Sequence, residues 1–153
     1  MNGIEEYRAN STSFSSFLRK GNVKKGSRLN NEQVESYIVE IDTMFYKCNI
    51  DMIVYRGLDI FYQSFDKNVN ELNVNDIITD KSYCSTTFNL EVAEQFCRDS
   101  YIVNIYIKKG SNILNMNGIG DSYHDYQNEV LLPRNSKFKV LSIKDKIIEL
   151  ELL

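Results

Sequence analysis

Residues 127–140 read QNEVLLPRNSKFKV, and this stretch joins a buried strand to a polar entrance. Its apolar run at 130–132 is typical of a strand in a protein core. Gln127 and Glu129 precede that run, and in an extended chain residues two apart point to the same face of a sheet. We therefore expect a core strand whose entrance carries two hydrogen-bonding side chains next to each other.

The rest of the chain divides into a helical part and a strand-rich part. Residues 1–48 show helical spacing of apolar side chains, and Asn30 is placed to cap the second helix. Beyond them, apolar residues alternate in YIVNIYIKKG at 101–110 and IIELELL at 147–153, as in strands. Asn89 can cap a short helix between the strands. Helices followed mainly by strands predict an α+β domain with an antiparallel or mixed sheet.

Length and composition predict one globular domain over residues 1–153. The hydrophobic share of 42% and the charged share of 25% are ordinary for a soluble protein. No apolar run approaches the roughly 18 residues of a membrane span. The N-terminus carries acids where a signal peptide has a basic region, and it lacks a continuous apolar segment. We therefore expect neither a membrane span nor an export signal.

Cysteine and histidine content argues against a metal site. Cys48, Cys84 and Cys97 are odd in number and form no C-x-x-C pair, and His124 is the one histidine. We expect free thiols, a reducing compartment and no bound metal.

The net charge of −3 provides no general attraction for nucleic acid or an anionic membrane. No Walker loop, glycine-rich dinucleotide fingerprint or H-E-x-x-H motif is present.

Three polar patterns lie at the ends of predicted strands. Arg56 closes the strand IVYRG, the triplet Ser-Thr-Thr at 85–87 closes KSYCSTT, and Q-x-E at 127–129 opens QNEVLLP. Each pattern alone is common in proteins. Together, in this order, they resemble the Arg, Ser-Thr-Ser and Glu signature of the mono-ADP-ribosyltransferase toxin family, especially its C3-like exoenzymes and clostridial binary-toxin catalytic domains.

The resemblance extends over nearly the whole chain. VYRGL is similar to the first conserved strand of the family, STTFNLEVAEQF to the second strand with its helix, and YRANSTSFSSFLR to the helical entry. It implies two mostly antiparallel sheets that form an NAD cleft. Residues 1–48 would be a helical entry on one side, and residues 49–153 would be the NAD-binding catalytic core. The implied enzyme is a monomer that needs NAD but no metal.

The resemblance also implies a role toward NAD for each strand-end residue. Glu129 would stabilise positive charge on the ribose as the nicotinamide–ribose bond breaks. Ser85 would hold Glu129 in place by a hydrogen bond, and Arg56 would hold the pyrophosphate with its planar fork of donors. The other implied cofactor-binding residues are Gly57, Thr86, Thr87, Phe96 and Arg98.

Gln127 bears on the acceptor of the ADP-ribose. Family members with Glu at this position mostly modify arginine, whereas a neutral amide suits an Asn or Gln side chain and offers no charge to a guanidinium. The Q-x-E pattern is similar to that of C3-like enzymes, which modify an Asn of Rho GTPases, and to members that modify guanine. Tyr123, His124 and Tyr126 precede Gln127 in the implied acceptor-recognition loop.

Several alternatives stay open from the sequence. We expect a protein acceptor in preference to nucleic acid, although the basic residues between Arg19 and Arg28 offer a local phosphate track. NAD glycohydrolysis is a second possible reaction, and an inactive binding module of the same fold is a third. The enzyme is expected to act in a cytosol as a secreted or injected toxin, with an intracellular toxin or a phage-encoded enzyme as the alternatives.

Overall fold

The computed structural model describes residues 2–98, 100–119 and 122–153, and for residues 122–124 it describes the backbone alone. The α-helices are α1 (Gly3–Lys20), α2 (Asn31–Asp42), α3 (Phe61–Phe65) and α4 (Leu90–Cys97). The strands are β1 (Tyr46–Lys47), β2 (Met52–Leu58), β3 (Ile77–Asp80), β4 (Cys84–Thr87), β5 (Tyr101–Ile107), β6 (Asn112–Asn115), β7 (Glu129–Leu132), β8 (Ser136–Lys144) and β9 (Ile147–Leu152). Short 3₁₀ turns span Val69–Glu71 and Ser122–Gln127.

The strands join into one mixed sheet, which agrees with the predicted α+β class. Their order is β1-β6-β7-β4-β2-β5-β9-β8-β3, and β5 runs parallel to β9 whereas the other neighbours are antiparallel. The expected division into two sheets is not confirmed. The two halves of the sheet are nevertheless joined narrowly, because β2 and β4 share only the pair Tyr55 and Thr87.

The two long helices begin where the sequence places capping residues. Asn30, the predicted capping residue, forms a reciprocal capping box with Gln33 at the start of α2. Asn2 and Glu5 form a second capping box at the start of α1. Asn10 departs from helical geometry, with φ −134° and ψ 35°, and α1 continues beyond it through the Ser/Thr-rich stretch. None of the helices in the described residues is long and apolar enough to cross a membrane.

The predicted alternation in β5 and β9 is confirmed by burial. Val103, Ile105, Ile148 and Leu150 are all completely buried and belong to the larger hydrophobic core. Parallel pairing of β5 with β9 places Ile105 opposite Leu150, so the apolar faces of both strands coincide. This core supports the strand that carries Arg56.

A second core lies under the two long helices. Ile4 and Phe14 of α1 and Ile38 of α2 pack with Tyr83 and Leu131, which belong to the half of the sheet that contains β4 and β7. Neighbours of Leu131 on β7 point into the larger core instead, so this strand is buried on both faces. The helical entry therefore fixes the position of β4 and β7.

Candidate active site

A cavity of about 390 Å³ lies where β2, β4 and β7 meet α1 and α4. Its lining contains Arg56 and Gly57 from β2, the triplet at 85–87 from β4, and both Gln127 and Glu129. These residues are far apart in sequence and come together because β4 pairs with both β2 and β7. The three strand-end patterns of the sequence therefore share one cavity.

Glu129 is the first residue of β7 and lies directly opposite Thr87 on β4. Ser85 lies two residues before Thr87, so both side chains point to the same face of the sheet. The Ser85 hydroxyl donates a hydrogen bond to Glu129 Oε2 at 2.9 Å. The hydroxyl of Tyr7 lies 3.3 Å from Ser85 Oγ. Because the single Ser85 proton is used toward Glu129, Tyr7 is the donor to Ser85. The carboxylate is thus held at the cavity wall by a chain of two hydroxyls.

Tyr7 belongs to α1 and is buried, and this burial raises the pKa of its hydroxyl above the ordinary value. The phenol therefore keeps its proton at neutral pH and can act as a donor throughout. Sequence reasoning assigned Tyr7 only to the helical entry. Its distance of 78 residues from Ser85 along the chain explains why no local pattern could reveal the contact.

Gln127 reaches the cavity from outside the strand. β7 begins at Glu129, Gln127 is the last residue of the preceding 3₁₀ turn, and Asn128 between them has a left-handed φ of 44°. Gln127 and Glu129 therefore do not follow the alternation of one strand, although both residues line the cavity. Asn is among the residues that tolerate this conformation best.

The other residues of the implied acceptor loop are only partly described. The Gln127 amide donates from Nε2 to the Tyr126 hydroxyl at 3.3 Å. Tyr126 is 57% exposed, so Gln127 and Tyr126 together form a surface at the edge of the cavity. The side chains of Tyr123 and His124 lie outside the described part of the structure, and their predicted role stays a prediction.

The guanidinium of Arg56 is held by partners inside the protein. Its Nη1 donates to Asp80 Oδ2 at 3.2 Å and to Cys84 Sγ at 2.9 Å, and its Nη2 donates to Ser64 Oγ at 3.2 Å. Burial by itself lowers the pKa of Arg56, but Cys84 and Asp80 more than offset this, so the pKa lies above its ordinary value. Arg56 lines the cavity as a charged group that already has three protein partners.

Asp80 accepts hydrogen bonds from two arginines and is fully buried. Besides Arg56, it binds Arg19 of α1 through both carboxylate oxygens, each at 3.0 Å from Nη2. The backbone N–H of Ser82 donates to it as well, at 2.9 Å. Asp80 thus joins the end of α1 to β2 and β3, and nothing in the local sequence around it signals this role.

A family model described as ADP-ribosyltransferase exoenzyme matches residues 1–150 of the chain. The chain belongs to the ADP-ribosyltransferase exoenzyme family. The predicted enzyme class, an NAD-dependent mono-ADP-ribosyltransferase of the toxin exoenzyme type, is thereby confirmed. No curated protein matches the chain significantly.

Solved structures of ADP-ribosyltransferase toxins share the fold. C3stau2 from S. aureus, solved with NAD, is 20% identical, with a TM-score of 0.76 and coverage of 99% of this chain and 84% of that one. C3larvin toxin from Paenibacillus larvae is 24% identical, with a TM-score of 0.68 and coverage of 99% and 85%. BECa, from a binary enterotoxin of C. perfringens and solved with NADH, is 20% identical, with a TM-score of 0.75 and coverage of 99% and 42%.

The exoenzyme positions α4 against β2 through a glycine. A Cβ atom at Gly57 would lie 1.9 Å from the Ala93 carbonyl oxygen and 2.7 Å from the Cys97 backbone nitrogen. Both atoms belong to the α4 backbone, which cannot move aside as a flexible side chain can. The helix therefore approaches the strand closely only because residue 57 has no side chain.

We expect Gly57→Ala to lower the free energy of unfolding by about 2 to 3 kcal/mol, because α4 must move outward to relieve the overlap. Nicotinamide release should fall with it, since α4 forms one wall of the cavity. Gly110→Ala is the control, because Gly110 has a φ of 94° but open space around it, and its cost is about 1 kcal/mol of backbone strain. Urea unfolding compares the two variants, and equal costs would contradict close packing at Gly57.

The two remaining predicted residues, at the end of α4 and just after it, differ in position. Phe96 lines the cavity and is 55% exposed, so its ring is accessible from the cavity side. Arg98 ends the helix with a left-handed φ of 44° and does not line the cavity. Its side chain is 80% exposed and lies 3.7 Å from the Asp59 carboxylate. The turn at Arg98 carries its side chain away from the cavity.

The exoenzyme cavity also contains residues that sequence reasoning missed. Arg8 and Ser11 of α1 and Tyr55 of β2 line it alongside the predicted set. Tyr7 and Ser11 are four residues apart, a spacing that places residues on one helix face, but α1 departs from helical geometry at Asn10 between them. Within the described residues, no group of three or more His, Cys, Asp or Glu side chains could hold a metal ion.

Proposed function

We propose that this exoenzyme binds NAD in the cavity and transfers its ADP-ribose to an amide side chain, Asn or Gln, of a protein. The observation that carries the proposal is the Glu129 carboxylate, held by Ser85 at 2.9 Å on the wall of the cavity. A carboxylate fixed in this way can stabilise positive charge without first reorganising. The solved structures of C3stau2 with NAD and BECa with NADH support placing the nucleotide in this cavity.

Glu129 acts on the ribose that carries nicotinamide. As the bond between C1′ and the nicotinamide nitrogen breaks, positive charge develops on C1′ and the ring oxygen, and the Glu129 carboxylate stabilises it. The electron pair of the broken bond leaves with nicotinamide. The acceptor nitrogen forms the new bond to C1′ and releases one proton to water. Ser85 and Tyr7 keep the carboxylate oriented during this step.

The remaining cavity residues bind and orient the nucleotide. Phe96 offers an exposed ring on which a flat nicotinamide can stack. Arg56 contributes a fixed positive charge at the cavity wall while its hydrogen bonds to Asp80, Cys84 and Ser64 keep it in place. We propose that Arg56 attracts the pyrophosphate mainly by this charge, because much of its hydrogen-bonding fork is already used inside the protein.

Gln127 and Tyr126 form the proposed acceptor surface. A neutral amide pairs donor for acceptor with the side chain of Asn or Gln. The contact of Gln127 Nε2 with the Tyr126 hydroxyl directs this amide toward the exposed edge of the cavity. A guanidinium acceptor is disfavoured, since Gln127 supplies no negative charge to hold it.

A nucleobase is the second candidate acceptor, because guanine has an amide-like edge that Gln can also bind. The basic stretch from Arg19 to Arg28 has less free positive charge for a phosphate backbone than its sequence indicates. Arg19 is bound to the buried Asp80, and Arg28 is paired with the buried Glu6. With a net charge of −3, the exoenzyme therefore has weak general attraction for a polyanion.

Three further proposals concern the molecule as a whole. Residues 1–153 form a single catalytic domain, in which residues 1–48 support the NAD-binding core at 49–153. We propose that the enzyme works as a monomer. Because toxin exoenzymes of this family act on host cells, we propose that it modifies its acceptor in the cytosol of a target cell.

Labelled NAD added to a cell lysate tests the function. The label should enter macromolecules, survive nuclease and disappear with protease. Label lost only to nuclease would reject a protein acceptor in favour of a nucleic acid. NAD consumption without any labelling would indicate a glycohydrolase, and purified protein that releases no nicotinamide would indicate an inactive binding module.

We expect Gln127→Ala to reduce labelling of the acceptor by about tenfold or more while NAD hydrolysis continues, because Gln127 orients the acceptor and Glu129 acts on NAD. Both rates are measured in the same lysate from labelled protein and released nicotinamide. Gln63→Ala is the matched control, since Gln63 is exposed on α3 away from the cavity. Equal losses of labelling and of hydrolysis in Gln127→Ala would assign Gln127 to NAD rather than to the acceptor.

A further inference from the structure

Arg8 is a buried cation with an incomplete set of hydrogen-bond partners. Its side chain is only 6% exposed, and it lines the cavity from α1. Its Nε and Nη2 have no hydrogen-bond partner among the described residues. Leaving charged donors unpaired inside a protein is costly, so a site of this kind is expected where an anionic ligand supplies the missing acceptors.

The other side of the guanidinium is anchored. Nη1 donates to the carbonyl oxygen of Ile119 and lies 4.0 Å from the Asp125 carboxylate. This anchor holds the planar group by one nitrogen. Nε and Nη2 lie along the opposite edge, where their N–H bonds run parallel and match two oxygens of a phosphate or carboxylate. This edge of Arg8 has the shape for bidentate binding of an anion, and because both nitrogens are shielded from solvent, the atoms that cover them must shift when an anion binds.

The position of Glu129 in the same cavity indicates which anion this is. Under the proposed function, Glu129 acts at C1′ of the ribose that carries nicotinamide. The anionic group nearest to that atom in NAD is the phosphate on the 5′ carbon of the same ribose. We infer that Arg8 binds this nicotinamide-side phosphate through Nε and Nη2, an inference that rests on the proposed function.

Two ligands that differ by this one phosphate provide the test. Nicotinamide mononucleotide carries the phosphate and nicotinamide riboside lacks it, so the ratio of their affinities isolates the contribution of the phosphate. We expect Arg8→Gln to reduce the preference for the mononucleotide by about 10- to 100-fold, the usual range for a charge-assisted bidentate contact. The affinity for nicotinamide riboside should stay nearly unchanged. Competition against a fluorescent NAD analogue measures both ligands.

Two further variants make the result specific. Arg134→Gln removes an arginine that is more exposed, pairs with Asp42 at 2.9 Å and lies outside the cavity, and it should leave the preference unchanged. Arg8→Lys keeps a positive donor able to reach Ile119 but has no second parallel N–H, so it should lose part of the preference. If thermal unfolding shows that Arg8→Gln does not fold, Arg8→Lys provides the test instead.

The outcomes separate the inference from the proposed function. A preference for the mononucleotide that persists in Arg8→Gln and Arg8→Lys overturns the assignment of Arg8. A wild-type protein that binds neither NAD nor the mononucleotide instead contradicts the proposed function itself. Loss of both ligands to the same extent in the Arg8 variants assigns Arg8 to the shape of the cavity and also overturns phosphate binding.

Discussion

Replacing Glu129 with Gln should reduce nicotinamide release by a factor of about 10² or more, while the affinity for NAD changes little. The amide has nearly the same shape as the carboxylate, and its oxygen can still accept the hydrogen bond that Ser85 donates at 2.9 Å. The charge that stabilises the transition state is lost, however, and removal of one preorganised electrostatic partner has an effect of this size. Steady-state nicotinamide release and equilibrium NAD binding are the two measurements.

Glu149→Gln is the matched control for this prediction. Glu149 accepts hydrogen bonds from Tyr106 and Ser142 and lies on β9, outside the cavity. The same chemical change at this position should leave nicotinamide release within about twofold of wild type, because surface substitutions away from a site have small effects. Near-normal turnover of Glu129→Gln would refute the catalytic assignment, whatever its effect on acceptor labelling.

Asp80→Asn should lower the free energy of unfolding by about 3 to 5 kcal/mol, the usual cost of removing one partner from a buried ion pair. Asp80 is fully buried and binds both Arg19 and Arg56, so its neutralisation leaves two cations without a counter-charge. Activity should fall with stability, because Arg56 and the end of α1 both support the cavity. Urea unfolding followed by circular dichroism measures the change.

Asp76→Asn is the comparison for a surface ion pair. Asp76 pairs with Lys67 at 3.3 Å, and both side chains are partly exposed, at 28% and 37%. Such pairs contribute at most about 1 kcal/mol. If Asp80→Asn cost no more than Asp76→Asn, Asp80 would not join α1 to the sheet in the way described above.

Sequence patterns predicted the features that depend on neighbours in the chain. Asn30 and Asn89 cap helices because a short polar side chain can reach the backbone two or three residues further on. Apolar alternation in β5 and β9 produces burial because successive side chains in a strand point to opposite faces. The order of these elements predicted the fold class, and the resemblance of the patterns at 56, 85–87 and 127–129 to a known family implied the enzyme class.

The tertiary structure alone decided how the site residues are held. Asn128 has a left-handed backbone, so Gln127 reaches the cavity from a turn rather than from the strand that its spacing predicted. Arg56 donates hydrogen bonds to Asp80, Cys84 and Ser64. These contacts hold its guanidinium inside the protein, and no local sequence pattern predicts them.

Local sequence patterns also did not predict how residues of the helical entry contact the site. Tyr7 contacts Ser85 across 78 residues, and Arg8 contacts Ile119 across 111. The sequence by itself determined which strands and helices form, because backbone geometry repeats with fixed periods that apolar residues follow. Packing of α1 against β4 and the segment before β7 decided which side chains share the cavity, because such contacts depend on the positions of whole elements and not on spacing along the chain.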